Sequence, residues 1–190
     1  MAMSPDPAAA KPRPAFATSR AVRWSMIGIT VAVLVADQVT KSLVAAGRIR
    51  DGSTLGWLTV RVVRNHGASG SMFSGYPVLV TLAALAITAV ATVLALRATS
   101  RATAICLAVV LGGALGNLAD RIFRSPGLGR GGVVDWIHLS FGGGGSLDLA
   151  DVAIQFGVIG AVVAMLLAKP ARKDSRAEDS DGLPSAKAAS

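Results

Sequence analysis

Four long apolar runs constrain this chain more than any other feature of its sequence. They extend over about 24–46, 77–96, 102–120 and 152–168, and each approaches the roughly 20 residues that an α-helix needs to cross the hydrocarbon layer. Apolar residues make up 52% of the chain and charged residues only 16%, too few polar groups to coat a soluble domain. The sequence therefore predicts an all-α membrane protein with four transmembrane helices.

The segments that flank the runs predict how the chain lies in the membrane. The first run is longer than the core of a signal peptide, so we expect a retained span. More Lys and Arg residues flank the side that carries both termini than the opposite side, which predicts that both termini are cytoplasmic. Residues 1–22 and 169–190 lack a periodic apolar pattern, so we expect disordered tails around one membrane domain, 23–168. The net charge of +8 then reflects topology and contact with membrane lipids, not nucleic-acid binding.

Two segments on the other side of the membrane have patterns of their own. In the first, Leu58, Val60 and Val62 stand at alternate positions between Gly-containing turns, which predicts a small extracytoplasmic β-platform. The second, 122–151, contains many glycines, including the run Gly142–Gly145. It predicts a mobile extracytoplasmic loop that could act as a lid.

Two charged residues lie four positions apart inside the first run, in Asp37-Gln-Val-Thr-Lys41. At this spacing both side chains share one face of a helix. An ion pair that lowers the cost of placing charge in the membrane and a contact with substrate are both consistent with the spacing.

The third run ends in polar residues. Asn117, Asp120 and Arg121 are spaced so that they share one helix face, which predicts a polar network. Asn117 lies deeper and is assigned to a polar cavity, whereas an interfacial Asp120/Arg121 pair is an alternative for the other two. The preceding glycines, including Gly113 and Gly116, predict close helix packing.

Two acids near the fourth run are candidates for catalysis. Asp135 stands among apolar residues in Val-Val-Asp-Trp-Ile, and Asp151 opens the run. Two adjacent carboxylates cannot both ionise easily, so one keeps its proton and the pair supplies an acid and a base. The alternative is that Asp135 caps a short helix and Asp151 caps the fourth span. The two segments by themselves favour neither.

Other residues carry weaker signals. Asn65-His66-Gly67-Ala68-Ser69 is typical of a turn with close backbone approach. His66 and His138 have no third matched partner, and Cys106 is the single cysteine. We therefore expect no metal site and no disulfide.

These motifs, in this order relative to four runs, resemble the lipoprotein signal peptidase (signal peptidase II) family over about 24–168. The resemblance implies an aspartyl endopeptidase of the bacterial cell membrane that acts at its extracytoplasmic side, without a cofactor and as a monomer. It would remove signal peptides from diacylglyceryl-modified prolipoproteins by cleavage before the lipidated cysteine. It assigns catalysis to Asp135 and Asp151. It assigns substrate-binding or structural roles to Asp37, Lys41, Asn65, Gly67, Ala68, Gly113, Asn117, Asp120, Arg121 and Ala150.

The sequence departs from the family pattern at Asp148, where an asparagine is usual three residues before the second catalytic acid. An amide both donates and accepts hydrogen bonds, whereas an ionised carboxylate only accepts. We include Asp148 among the substrate-binding candidates, and the sequence also leaves it open as the catalytic acid in place of Asp151.

Two other functions are weighed against a peptidase. A small proton-coupled transporter or channel would distribute its acids through the membrane depth, whereas the acids here gather at one side. A non-enzymatic scaffold packed through Gly112, Gly113 and Gly116 would leave Asp37 and Asn117 without a reason to lie in the membrane.

Overall fold

A computed structural model describes residues 19–140 and 145–167. Its helices are α1 (Arg20–Ala45), α2 (Pro77–Leu96), α3 (Arg101–Phe123) and α4 (Leu149–Leu167). All four are long and apolar enough to cross a membrane, so the predicted four-span architecture is confirmed. The proposed tails fall almost wholly on 1–18 and 168–190, outside the described residues.

Side chains at the helix starts explain where the helices begin. The hydroxyl of Ser19 accepts a hydrogen bond from the backbone N–H of Val22, so α1 begins a few residues before the predicted span. Ser100 accepts from the N–H of Thr103 in the same way at the start of α3. Each cap satisfies an N–H group that the first helical turn leaves without a partner.

Helix α3 lies at the centre of the bundle and packs against α1, α2 and α4. Glycines make this packing close, as predicted for small residues. A Cβ atom built on Gly113 would lie 2.5 Å from the carbonyl oxygen of Ala150 in α4. A Cβ on Gly116 would collide with the carboxylate of Asp37 in α1. The outer faces of the helices expose many large apolar side chains, as expected for surfaces that face lipid.

The strands are β1 (Thr54–Leu55), β2 (Leu58–Asn65), β3 (Val133–Leu139) and β4 (Gly145–Leu147). They form one antiparallel sheet in the order β1-β2-β3-β4. The predicted β-platform is therefore present, but it also includes part of the segment expected to be a mobile loop. Pairing with β2, which is distant in sequence, orders β3. Residues 141–144 of the predicted loop lie outside the described residues.

Candidate active site

The Lys41 ammonium lies at the centre of a buried charged cluster. Its Nζ lies 2.8 Å from Asp37 Oδ2, 3.1 Å from Asp120 Oδ2 and 2.7 Å from Asp148 Oδ2. It also donates a hydrogen bond of 2.9 Å to Asn117 Oδ1. Lys41 and the three acids are completely buried. The helical ion pair suggested by the Asp37/Lys41 spacing is thus one part of a cluster that joins α1, α3 and the start of α4.

The carboxylates of this cluster are also held by neutral and cationic donors. Asp37 Oδ1 accepts from the backbone N–H of Ala150 at 3.0 Å. Asp120 Oδ2 accepts from the N–H of Val134 at 3.2 Å, which ties the sheet to α3. Arg124 Nε donates to Asp120 Oδ1 at 2.5 Å. A buried carboxylate is tolerated when its oxygens have such partners.

Gln38 is a member of this network that the sequence analysis missed. Its amide donates to Asp37, to the carbonyl of Gly116 and to Asp120. The signal that could have identified it is its place beside Asp37 in a span, where a second polar side chain needs a polar partner.

Asp135 lies on β3, so the alternative in which it caps a short helix is wrong. It stands opposite Val63 in the β2–β3 register, and Asn65 follows two residues later on the same face. The side-chain amide of Asn65 donates a hydrogen bond of 3.2 Å to Asp135 Oδ2 and another to the carbonyl of Ala68. Asn65 Oδ1 accepts from the N–H of Gly67. Asn65 is the last residue of β2, and its contacts with the turn that follows orient the amide that binds Asp135.

Asp151 lies in the first turn of α4. Its Oδ1 accepts a hydrogen bond of 3.0 Å from the amide of Asn117 in α3. The suggested capping contact of Asp151 is present, because its carboxylate bonds the backbone N–H of Asp148, although the N-cap residue itself is Asp148. Asp148 Oδ1 accepts from the backbone N–H of Asp151 at 2.7 Å, the usual bond of an acidic N-cap residue.

Three carboxylates meet at this point. One oxygen of each of Asp135, Asp148 and Asp151 lies within 4.8 Å of the others. Burial raises the pKa of Asp135 to about 7, and the neighbouring charges of Asp148 and Asp151 act in the same direction, whereas the Asn65 hydrogen bond opposes them. Asp135 therefore keeps a proton close to neutral pH, as expected for one acid of a close pair. A divalent cation could use the same oxygens, but the Lys41 ammonium already supplies positive charge at Asp148.

Arg121 does not form the ion pair with Asp120 that the sequence suggested as an alternative. Arg121 Nη2 donates a hydrogen bond of 2.9 Å to the carbonyl of Gly67. Asp120 is paired instead with Lys41 and Arg124. The Nε and Nη1 atoms of Arg121 are buried and have no hydrogen-bond partner among the described residues. This guanidinium therefore retains donors beside the carboxylates.

A cavity of about 370 Å³ opens at this end of the bundle. The predicted site residues that line it are Asn65, Ala68, Asn117, Arg121, Asp135 and Asp151. The other predicted residues, Asp37, Lys41, Gly67, Gly113, Asp120, Asp148 and Ala150, are buried around it. Ser146, Ile154 and Gln155 also line the cavity and were missed. The last two could have been inferred because they lie about one helical turn beyond Asp151.

The fold and the site together define a multi-pass membrane protein with a carboxylate-lined cavity at one end of its helix bundle. The model of the family described as signal peptidase (SPase) II matches residues 29–167. The chain belongs to this family, and it is therefore a peptidase.

Individual relatives agree with this assignment. The lipoprotein signal peptidase of Rhodococcus jostii is 39% identical over 170 residues, which cover 85% of this chain and 81% of that protein. The lipoprotein signal peptidase of Bifidobacterium adolescentis is 34% identical over 146 residues, with 75% and 76% covered. A solved structure described as a bacterial membrane enzyme superposes with a TM-score of 0.63 at 25% identity and covers 75% of this chain and 88% of that one.

Proposed function

We propose that this chain is an aspartyl endopeptidase that removes signal peptides from diacylglyceryl-modified prolipoproteins, with Asp135 and Asp151 as its catalytic pair. The observation that carries the proposal is the approach of these two carboxylates inside one cavity, each held by a separate asparagine amide. Family membership supports the peptidase activity. The names of the relatives support the class of substrate.

The environments of the two acids suggest different roles. Asp135 is buried and its pKa is raised to about 7, which suits it to donate a proton to the carbonyl oxygen of the scissile peptide. Asp151 receives a hydrogen bond from Asn117, which favours its ionised form. Ionised Asp151 would accept a proton from water as the water oxygen attacks the carbonyl carbon. Collapse of the tetrahedral intermediate would then break the C–N bond as the proton held by Asp151 passes to the leaving nitrogen, and ionised Asp135 would take back a proton from a hydroxyl group of the intermediate as the C=O bond re-forms.

The position of the cavity fits a lipid-modified substrate. Gln155, on the cavity wall, is exposed, and its neighbour Phe156 is 70% exposed. The cavity thus borders a surface that would face lipid, from which an acylated peptide could enter sideways. Three acids lie within the helices, Asp37 in α1, Asp120 in α3 and Asp151 in α4. They meet at the end of the bundle that is remote from the N terminus of α1. The site therefore lies across the membrane from the start of α1, and with the cytoplasmic termini expected from the flanking Lys and Arg residues it faces the extracytoplasmic side of the bacterial cell membrane.

Cleavage by the purified full chain in detergent tests the proposal. The substrates are a diacylglyceryl-modified prolipoprotein and the same protein without the lipid, and mass spectrometry of the products identifies the bond that is cut. Asp135→Asn and Asp151→Asn are compared with Asp51→Asn, which makes the same chemical change at an exposed residue.

We expect cleavage before the lipidated cysteine by the parent and by Asp51→Asn. Each of the two site variants should be folded and at least about 100-fold slower, since a proton-transfer residue contributes about 10²–10⁴-fold. Cleavage that persists in Asp151→Asn would overturn the pair, and Asp148 would be the acid to test next. A parent that cuts neither substrate would overturn the proposed substrate class.

A further inference from the structure

The buried Asp148 carboxylate touches both the charged cluster and the carboxylate pair. It is completely buried. Its Oδ1 receives the N–H of Asp151 at 2.7 Å, and its Oδ2 lies 2.7 Å from Lys41 Nζ. One side chain therefore connects the helix that carries Asp151 to the cation at the centre of the bundle.

We propose that Asp148 is a positioning residue that anchors the first turn of α4 and whose negative charge sets the pH range in which the Asp135/Asp151 pair works. The proposal rests on the proposed function, because it concerns the same pair. It assigns Asp148 no contact with the reacting atoms, in contrast to the substrate-binding role expected from the sequence.

Asp148 anchors the first turn of α4 through two contacts, the hydrogen bond from the Asp151 N–H and the ion pair with Lys41. The cap fixes the start of α4 relative to the Asp148 side chain, and the ion pair fixes that side chain relative to α1. Asp37 binds the N–H of Ala150, so a second residue of α1 holds the same turn. The Asp151 carboxylate is thus placed by contacts to α1 as well as by the Asn117 amide of α3.

The effect of the Asp148 charge depends on the charged and titratable groups that face it from the helices and the strand packed around it. These groups are Lys41 and Asp37 on α1, Asp120 and Arg121 on α3, Asp135 on β3, and Asp151 on α4. The Lys41 ammonium is shared among three carboxylates, so it cannot fully cancel the charge of any one of them. The remaining negative charge of Asp148 acts on Asp135 through a buried medium, where screening is weak.

The sign of the effect is fixed by the charge. A negative neighbour disfavours ionisation of a carboxyl group, so an ionised Asp148 keeps the pair singly protonated to higher pH. An uncharged amide at the same position would allow the pair to lose its proton at lower pH. Both the rising and the falling limb of the activity profile should then move toward acidic pH.

Asp148→Asn separates the two parts, because asparagine caps a helix about as well as aspartate but carries no charge. We expect the whole pH profile of kcat/KM to move toward acidic pH by about one unit, the lower end of the effect of one close charge on a carboxyl group. Asp148→Ala removes the cap as well, and we expect a further loss in kcat of about tenfold at the optimum of the variant. The control is Asp51→Asn, which should leave the profile in place.

A second readout does not require activity. Infrared titration of the protonated carboxyl band, assigned with Asp135→Asn, follows the ionisation of Asp135 in the full chain. Its midpoint should fall by about one pH unit in Asp148→Asn. A profile and a midpoint that both coincide with those of the parent would overturn the charge role. An Asp148→Ala variant with the kcat of Asp148→Asn would overturn the anchoring role.

This readout also separates the two proposals. If the parent cuts no prolipoprotein, the proposed function fails, yet the infrared midpoint still reports whether Asp148 acts on Asp135. If the parent cuts and the midpoint does not move, the failure belongs to Asp148 alone.

Discussion

The amide of Asn117 donates a hydrogen bond of 3.0 Å to Asp151 from the neighbouring helix. Its other end accepts from Lys41 at 2.9 Å, so the amide cannot turn without breaking one of the two bonds. This fixed orientation presents an N–H group to Asp151 and favours its ionised form.

We expect Asn117→Asp to lower kcat/KM by about 100-fold or more, because the variant replaces a donor by a second carboxylate and a base contributes about 10²–10⁴-fold. The variant keeps the shape of the side chain and an acceptor for Lys41. Cleavage of the modified prolipoprotein measures the loss, with thermal unfolding as the check on folding. A variant that retains more than half of the parent activity would show that this bond does not tune Asp151.

Gly113 controls the distance between α3 and α4. A Cβ at this position would lie 2.5 Å from the carbonyl oxygen of Ala150 and 3.0 Å from Ile154 Cγ1, so α4 must shift in Gly113→Ala. Overpacking of this kind costs about 1–3 kcal/mol, and a displacement of about 1 Å at a catalytic group costs roughly 100-fold in rate. We expect a lower midpoint of thermal unfolding and a strong loss of kcat.

The matched control for this substitution is Gly28→Ala in α1. Nothing lies within 4 Å of a Cβ at Gly28, and alanine is favoured over glycine inside a helix by about 0.5–1 kcal/mol. This variant should therefore be as stable as the parent or slightly more stable, with unchanged activity. Equal behaviour of the two variants would argue against close packing at Gly113.

The ionisation of Asp135 predicts a dependence of stability on pH. The folded chain keeps the Asp135 proton up to about pH 7, whereas the pKa of an exposed aspartate is 3.8. Between these values the folded state binds more protons than the unfolded state, so the contribution of Asp135 to stability falls as pH rises. The change is roughly 1.4 kcal/mol for each pH unit crossed.

Thermal unfolding of the parent and of Asp135→Asn at pH 5, 6, 7 and 8 measures this effect. Asp135→Asn lacks the ionising group, so its stability relative to the parent should increase from pH 5 to 7 and then level off. Asp51→Asn, with an exposed carboxyl, should track the parent throughout. An advantage that stays constant with pH would contradict the raised pKa of Asp135.

Gln155 places an amide on the cavity wall, in a helix whose other polar side chain is Asp151. A polar group in a span is costly unless it meets a polar partner or a wet cavity, so this amide is suited to bind a carbonyl oxygen of the substrate. We expect Gln155→Leu to lower kcat/KM by about tenfold, mostly through KM, because one hydrogen bond is worth about 0.5–1.5 kcal/mol. Phe156→Leu, on the exposed neighbour, should change neither constant, and an equal KM in Gln155→Leu and the parent would remove Gln155 from the substrate site.

Much of the architecture follows from local sequence pattern. Apolar runs determine the four helices because every backbone polar group within a bilayer must find its partner inside the helix. The alternation around Val60 likewise predicts β2, since a strand with one buried face repeats every two residues. The spacing of Asp37 and Lys41 places them on one helix face without knowledge of any other element.

The composition of the site was decided by tertiary structure. The position of Asp135 on a strand depends on pairing of β3 with β2, which the glycine-rich composition of its segment concealed. Asp148 meets Lys41 only because close packing through glycines brings α1, α3 and the start of α4 together. A sequence pattern reports spacing along one element, whereas ion pairs and carboxylate distances between elements depend on how those elements pack. The helices and the Asp37/Lys41 pair therefore follow from the sequence, whereas the contacts of the acids across different elements do not.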